Sequence, residues 1–420
     1  MTQIAQRREV EITASGWHQR FTPEAVAFVE RLLERLTQVR LEAEAAPVAL
    51  LKRFAAVMVE DSSTISLPDE VQELWRGCGG STGSSQARRK LFVGWNVLTG
   101  DLHGPLLTAG RQADGKSPFN EHEVPAAGLS LADLGFFALW RRQQLQERRD
   151  GHKRYYLLRL PIGTRLYTRT RHQLELRGIV PQQEGAAVEL GVLVGKQARV
   201  PARLILQRVP QEVAEQRRKR IREEAHDHGY EPSEEALYLA GWTIVVSKVP
   251  RRLLSLVVLT VRWQIERLLR LWKEDGLIDA WRSKKCWRIP CEPYAKLAGM
   301  LIQHWLIEAG CWQDPQRSLV KAAQVVRREA NRLRVGLWDG DLERQITGIL
   351  RSLRSGGRIA KRKQFPSTAQ RLEGAPMLGG KRPQYPKGRH RDQRRRWPAG
   401  KGWASSKQPR KTHSRVASLT

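Results

Sequence analysis

Val261-Arg262-Trp263-Gln264-Ile265-Glu266-Arg267-Leu268-Leu269-Arg270-Leu271-Trp272-Lys273 is the stretch around which the rest of the chain can be ordered. Val261, Ile265, Leu268 and Trp272 fall at i, i+4, i+7 and i+11. That period predicts a helix over Leu253 to Asp275 with one apolar stripe on a core. Arg262, Glu266 and Lys273 lie beside the stripe. At about 100° per residue they stand within about 40° of one another, so a guanidinium, a carboxylate and an ammonium share one narrow face. Spacing alone is also what an ordinary exposed helix with an i, i+4 ion pair would show, and such pairs stabilise by only about 0.2–0.5 kcal/mol.

Working outward, the chain alternates. Thr22-Pro23-Glu24 reads as N-cap, N1 and acidic first turn of a helix that carries Val26, Val29, Leu33 and Leu36. A second helix-like stretch leads to Leu51. Phe54 to Val59 is an apolar run closing on Glu60-Asp61, and neighbours on a strand face opposite ways, so only one of these two acids can serve a given site. Two strands follow, Lys90 to Leu98 and Leu102 to Ala109, around the turn Thr99-Gly100-Asp101. Leu129 to Leu134 is a short strand carrying Asp133, Phe137 to Arg149 a helix of mixed polarity, and Tyr155 to Ile162 another strand. Residues 165–252 are mainly β, at Ala187 to Val194, Arg203 to Val209 and Tyr238 to Val249, with one charged helix from Gln211 to His226. Residues 253–355 are helical. Strands, a β-rich stretch and then helices predict an α/β core, in two parts at 51–164 and 253–355, with a second, mainly β element at 165–252 inserted in it and a helical N-terminal segment at 1–50.

The chain has 420 residues and a formal charge of +30. That charge favours a polyanionic partner, nucleic acid first. From Gly356 to Thr420 there are 18 Lys/Arg against two Asp/Glu, with many prolines and no apolar period. Such a segment predicts a disordered basic tail. Arg394-Arg395-Arg396 and its like would hold phosphates without sequence preference, or merely solubilise the chain. No stretch approaches the ~18 uninterrupted apolar residues of a membrane span. Met1 to Val10 has charges and no apolar h-region, and four cysteines make no disulfide framework. Cys286-x4-Cys291 with His304 and Cys311 fits no zinc spacing, and the Gly-rich Gly77 to Gly83 lacks the Gly-Lys-Ser/Thr of a phosphate loop.

Arg262-x3-Glu266-x6-Lys273 resembles the Tyr-x2-Arg-x3-Glu-x6-Lys signature of DDE transposases of insertion-sequence family four, with Leu259 where the family has Tyr. Val59-Glu60-Asp61-Ser62-Ser63 is similar to the family's first aspartate block, Asp133-Leu134-Gly135-Phe136 to its Asp-x-Gly-Phe block, and Gly241-Trp242-Thr243-Ile244-Val245-Val246 to the strand that closes its β insertion. The resemblance runs from about Gly16 to Arg354. It implies an RNase H-like core, a mixed sheet with helices, interrupted by the insertion, and cut-and-paste DNA transposition by phosphodiester cleavage and strand transfer. Asp61, Asp133 and Glu266 would be its catalytic carboxylates and hold two divalent metal ions, magnesium or manganese. Arg262 and Lys273 would bind the phosphate at the transposon end.

In some relatives that cut through a DNA hairpin, the tryptophan matching Trp242 stacks on a flipped base. A core role for Trp242 is the competing expectation. The implied partners are double-stranded DNA, as terminal inverted repeats and target, and a second copy of the chain on paired ends. The implied place is the bacterial cytoplasm, at the nucleoid, with no membrane. Gly16 to Leu36 already resembles the stretch just before the family's core, so an N-terminal DNA-binding region is expected to be largely absent. A non-catalytic nucleic-acid-binding remnant and a stand-alone nuclease on the same core are the alternatives.

The charge makes a first prediction. Log affinity for duplex DNA should fall steeply with log salt, and deleting Gly356 to Thr420 should flatten the slope. Equilibrium binding across a salt series checks both; an unchanged slope would mean that the tail does not touch DNA.

Overall fold

The fold is described from a computed structural model, for residues 12–41, 44–77, 87–119, 124–147, 151–281, 283–359, 367–375 and 377–378. The Gly/Ser-rich stretch at 78–86 and the basic run from 379 onward lie outside these residues.

The strands are β1 (Val57–Ser66), β2 (Arg88–Asn96), β3 (Leu102–Ala109), β4 (Leu129–Ala132), β5 (Tyr155–Arg159), β6 (Leu166–Tyr167), β7 (Gln173–Leu174), β8 (Ala187–Val194), β9 (Val200–Arg208) and β10 (Trp242–Ser247). All ten join one mixed sheet in the order β3-β2-β1-β4-β5-β10-β9-β8-β6-β7. β1, β2 and β3 pair antiparallel, β4 and β5 run parallel to β1, and β10 returns antiparallel beside β5. The strands within 165–252 therefore extend the same sheet through the β5–β10 pairing, with no separate sheet of their own.

The helices are α1 (Ala14–Gln19), α2 (Pro23–Gln38), α3 (Leu139–Glu147), α4 (Gln211–Asp227), α5 (Glu234–Leu239), α6 (Trp263–Glu274), α7 (Arg288–Cys311), α8 (Leu319–Asp339), α9 (Leu342–Gly356) and α10 (Thr368–Glu373). Strand alternation divides the core between the two sheet faces. Val57, Val59, Leu131, Leu157, Val245 and Ile205 point to one face, where Ile265, Leu268 and Trp272 of α6 and Leu297 and Leu301 of α7 cover them. Ala132, Tyr156, Leu158, Val246, Leu204 and Leu206 point to the other, with Phe136 and Leu239. Helices α8 and α9 turn back on α7 through Gly340, whose φ of 73° is the left-handed C-cap that a Cβ would strain.

Thr22 caps α2 as its sequence predicts, accepting from Ala25 N–H at 3.3 Å. Several expectations change. The stretch before Leu51 is not a helix: Pro47 interrupts it, and Ala46, Val48 and Leu50 are buried in an irregular run. Helix formation from Leu253 is delayed. Residues Leu256–Arg262 form a 3₁₀ stretch, and the α-helix begins at Trp263. Val257, Val258, Thr260 and Val261 are β-branched and poor helix formers, and the Thr260 hydroxyl donates to Val257 O at 2.7 Å. The expected strand from Tyr238 starts at Trp242, because Ser233 caps α5 by accepting from Ala236 N–H at 3.2 Å.

The expectation of a disordered chain from Gly356 onward is corrected for 367–375 and 377–378 alone, the stretch from 379 lying outside the described residues. The residues Ser367 and Gln370 make a reciprocal capping box for α10, Leu372 and Leu378 are buried in the main core, and Thr368 accepts from Gln264 Nε2 at 2.8 Å. A chain ending at Pro366 should therefore lose about 2–5 kcal/mol, the range for deleting a large core side chain. One ending at Leu378 should keep its melting temperature. Thermal denaturation of the two truncations separates a packed strap from a passive tail.

Candidate active site

Strand β1 outruns β4. Their pairing ends at Val59 and Leu131, while β1 continues against β2 through Ser66. The sheet opens there, and Asp61 and Asp133, each two residues beyond that last pair, stand at the opening on the face that α6 covers. Asp133 leaves β4 in an extended conformation, just before the 3₁₀ turn Leu134–Phe136. Glu266 comes from the first turn of α6, which packs over β1.

Arg262 links them. Its guanidinium lies 3.5 Å from Asp133 Oδ2 and forms a short ion pair with Glu266 Oε1, the i, i+4 contact that the spacing allows. Asp61 accepts from Ser62 N–H at 2.8 Å. Burial pushes its carboxyl up from 3.8 to about 6. The Ser62 N–H and the Arg262 charge hold it down, and the neighbouring charges of Glu266 and Asp133 push it further up. The structure thus brings Asp61, Asp133, Glu266 and Arg262 into one electrostatic group, although 72 and 133 residues separate the three acids in sequence.

Other expected site residues are placed differently. Lys273 pairs with Asp279 Oδ2 at 3.7 Å, beyond the end of α6. Trp242 is buried at the start of β10; its Nε1 donates to Pro181 O at 2.7 Å, the Arg208 guanidinium covers its ring at 4.2 Å and Tyr238 packs 4.9 Å away. Leu259, at the family's Tyr position, packs on the core within the 3₁₀ stretch.

Glu60 faces the opposite way from Asp61, as alternation requires, and Arg141 Nη1 and Nη2 donate to its carboxylate at 2.5 and 3.1 Å. Asp114 is a residue that the sequence reading missed. It accepts from the Ser62 hydroxyl at 2.5 Å, pairs with Lys90 Nζ at 2.6 Å, and lies so close to Gly135 that a Cβ there would meet its Oδ2 at 2.9 Å. The glycine of Asp133-Leu134-Gly135-Phe136 thus makes room for a carboxylate that braces the Asp61 and Asp133 segments. Asp114 sits in a polar turn with no periodic signal, so nothing local marks it.

Asp61, Asp133 and Glu266 form an all-oxygen donor set, the chemistry that magnesium or manganese prefers. Two of the three pair with one guanidinium, and the third is half-buried with no ion pair among the described residues. That excess of negative charge fits a divalent ion, although among the described residues no three acidic, His or Cys side chains stand close enough to hold one as they are.

The transposase DDE domain family matches residues 52–297, a span that contains all of these groups. The chain belongs to that family. Among curated relatives, the transposase for insertion sequence element IS231F of Bacillus thuringiensis subsp. israelensis is 22% identical over 315 residues, covering 69% of this chain and 65% of that one. The IS231C transposase of Bacillus thuringiensis subsp. berliner is 24% identical over the same shares. The IS1151 transposase of Clostridium perfringens is 20% identical over 60% of this chain and 57% of its own length. The chain thus spans less than two thirds of the length of these relatives. A cryo-EM structure of a piggyBac transposase synaptic complex with hairpin DNA aligns with 75% of this chain and 60% of that one, at 9% identity and a TM-score of 0.39, a level at which likeness does not establish a common fold.

The raised Asp61 pKa has a signed consequence. Between about 4 and 6 the folded chain holds a proton that the unfolded chain has released, so stability falls as pH rises through that window and levels above it. In chelator, Asp61→Asn should be more stable than the native chain above pH 6, by about 2–3 kcal/mol at most, and the gain should vanish below about pH 4. Denaturant unfolding at several pH values checks this; a gain that is independent of pH would show that Asp61 ionises normally.

Proposed function

We propose that this chain is a DNA transposase that cleaves and joins phosphodiester bonds in cut-and-paste transposition, with Asp61, Asp133 and Glu266 as its catalytic carboxylates. One observation carries the reading: in a member of the transposase DDE domain family, two aspartates just past the last pair of two parallel strands and a glutamate on the helix crossing them are coupled at one half-buried carboxylate. The same arrangement supports an RNase H-like core built from residues 51–164 and 253–355, with 165–252 as a β insertion that lengthens its sheet. Double-stranded DNA, as inverted-repeat ends and target, is the substrate. A homodimer on paired ends is the working unit, and the bacterial cytoplasm at the nucleoid is its place. Among the described residues no helix is long and apolar enough to cross a membrane.

Asp61, Asp133 and Glu266 would hold the two divalent ions, which when bound supply activation of the attacking water or hydroxyl and charge relief on the leaving oxygen. The chain's own residues bind and orient the DNA. Arg262 has a planar fork that can exchange its carboxylates for a phosphate without losing its hydrogen bonds. Lys273, paired with Asp279 at 3.7 Å, is a point charge able to follow the strand. Asp114 and Gly135 keep the two aspartate segments in register. Base stacking by Trp242 would require the Arg208 guanidinium to leave its ring.

Asp61→Ala, Asp133→Ala and Glu266→Ala should each abolish magnesium-dependent cleavage of a duplex carrying the element's ends, while circular dichroism and duplex binding in chelator stay close to native. Survival of cleavage in any one variant removes that residue from the site. Nicking without joining in the native chain would make it a nuclease, and duplex binding with neither activity would make it a non-catalytic remnant.

A further inference from the structure

The sheet face that carries Asp61 is covered across β1 to β5 and at Val245 of β10 and Ile205 of β9, and opens beyond them. Following the register Val59–Leu131–Leu157–Ser247–Arg203–Gly191 across the strands, the same face continues onto β10, β9 and β8. There Gly191 is exposed and Arg203 half-exposed. A cavity of about 360 Å³ opens on this stretch, lined by Arg169, Glu189, Gly191, Arg203 and Lys248.

Its charge is arranged rather than scattered. Glu189 is the carboxylate at the centre: Arg203 Nη1 donates to its Oε2 at 3.2 Å, and Arg251 Nε lies 3.4 Å from its Oε1. Each guanidinium keeps donors in reserve, and Arg203 Nη2 is buried with no hydrogen-bond partner among the described residues. Arg169, from the β6–β7 hairpin, lies over the β8 backbone at Gly191, where a Cβ would meet its Nε at 3.0 Å and its Nη2 at 3.1 Å. A glycine inside a strand weakens the strand, and here it leaves room for a guanidinium against the sheet. Three cations line the cavity with one carboxylate, and a fourth, Arg251, pairs with that carboxylate, so the site is strongly positive. One orphaned buried N–H and several unused guanidinium donors suit an oxyanion with several acceptors.

We propose that this pocket, formed by Arg169, Arg203, Lys248 and Arg251 around Glu189, binds a backbone phosphate of duplex DNA lying along the Asp61 face. The proposal rests on the transposase reading for its choice of DNA. Five strand spacings of about 4.8 Å separate β8 from β1, so the bound phosphate lies about 24 Å from Asp61, or about seven base pairs at about 3.4 Å each. Arg159, the residue after Leu158 on β5, is exposed on the same face between the two sites and extends the positive track.

The test measures equilibrium binding of the full chain to a fluorescent 30-base-pair duplex and to an eight-base-pair one, in chelator, over a salt series. Arg169→Gln/Arg251→Gln removes two exposed cations and should weaken binding to the long duplex about tenfold and lower the salt slope by about two. Gly191→Ala keeps the net charge, displaces Arg169, and should weaken binding several-fold. Arg344→Gln/Arg354→Gln, on α9, removes the same charge elsewhere and should change the slope little.

Native affinity and slope in the Arg169/Arg251 variant would overturn the site, as would an equal loss in the α9 control or an equal loss on the short duplex. Inorganic phosphate saturating at the pocket with no change in duplex binding would overturn DNA as its ligand. Because no metal or cleavage enters the assay, a chain that binds DNA through this pocket but never cuts would sink the transposase reading and leave the site standing.

Discussion

The antiparallel pairing of β10 with β5 is the constraint on which the rest of the molecule depends. Through Ser247 opposite Leu157 and Val245 opposite Arg159, it joins segments that lie nearly 90 residues apart in the chain. It also sets the direction in which the chain continues. A strand antiparallel to β5 ends at the edge of the sheet remote from Asp61 and Asp133, so the chain must cross back over the sheet face before Glu266 can meet them. The 3₁₀ stretch Leu256–Arg262 makes that crossing against β1 and β4. Seven residues at about 2.0 Å each span about 14 Å, where an α-helix would span about 10 Å. The β-branched residues that delay the α-helix thus lengthen the crossing and deliver Arg262 and Glu266 to the open end of the sheet.

At that end the governing problem is charge. Three carboxylates drawn together beside a core repel one another, and burial penalises the ionised form of Asp61 further. Arg262 is the local compensation, bridging Asp133 and Glu266 with one planar group. The same fork geometry makes a guanidinium a good phosphate ligand, so the residue that stabilises the carboxylates and the residue best suited to meet DNA are one. Lys273 could not take this part. It stands almost two turns further along α6, where Asp279 claims it.

What was legible in the sequence was local. The i, i+4 relation of Arg262 and Glu266 survives because it needs only helical backbone, which Arg262 retains at the helix cap with φ −53° and ψ −34°. The opposite facing of Glu60 and Asp61 follows from the pleat alone. Asp114 could not be read, because its role depends on the meeting of a turn, β1 and Gly135 that only the folded sheet creates. The continuation of the sheet into β8 and β9 was hidden for the same reason: short β-branched runs reveal strands but not their partners. Helix α10 was missed because composition dominated the reading. Its capping box and two leucines sit in a basic, proline-rich stretch, and two buried anchors suffice to order a short helix there.

A single sheet face now carries both the acids and the arginines, and sheet geometry explains why that arrangement is economical for handling a charged polymer. Alternation places Asp61 and Val59, Arg159 and Leu157, Arg203 and Ile205 on the same side of their strands, so one surface changes from apolar under α6 to basic beyond it without any change of backbone. The acids need the low-dielectric edge of the core, where charge is felt strongly. The arginines need open surface, where a long partner can lie. Lengthening the sheet from five strands to ten supplies that surface at a fixed offset from the acids, because strands hydrogen-bonded in register cannot slide relative to one another without turning their side chains to the opposite face. The extension thereby acts as a ruler laid out from Asp61, and the register of β5 with β10 fixes its zero.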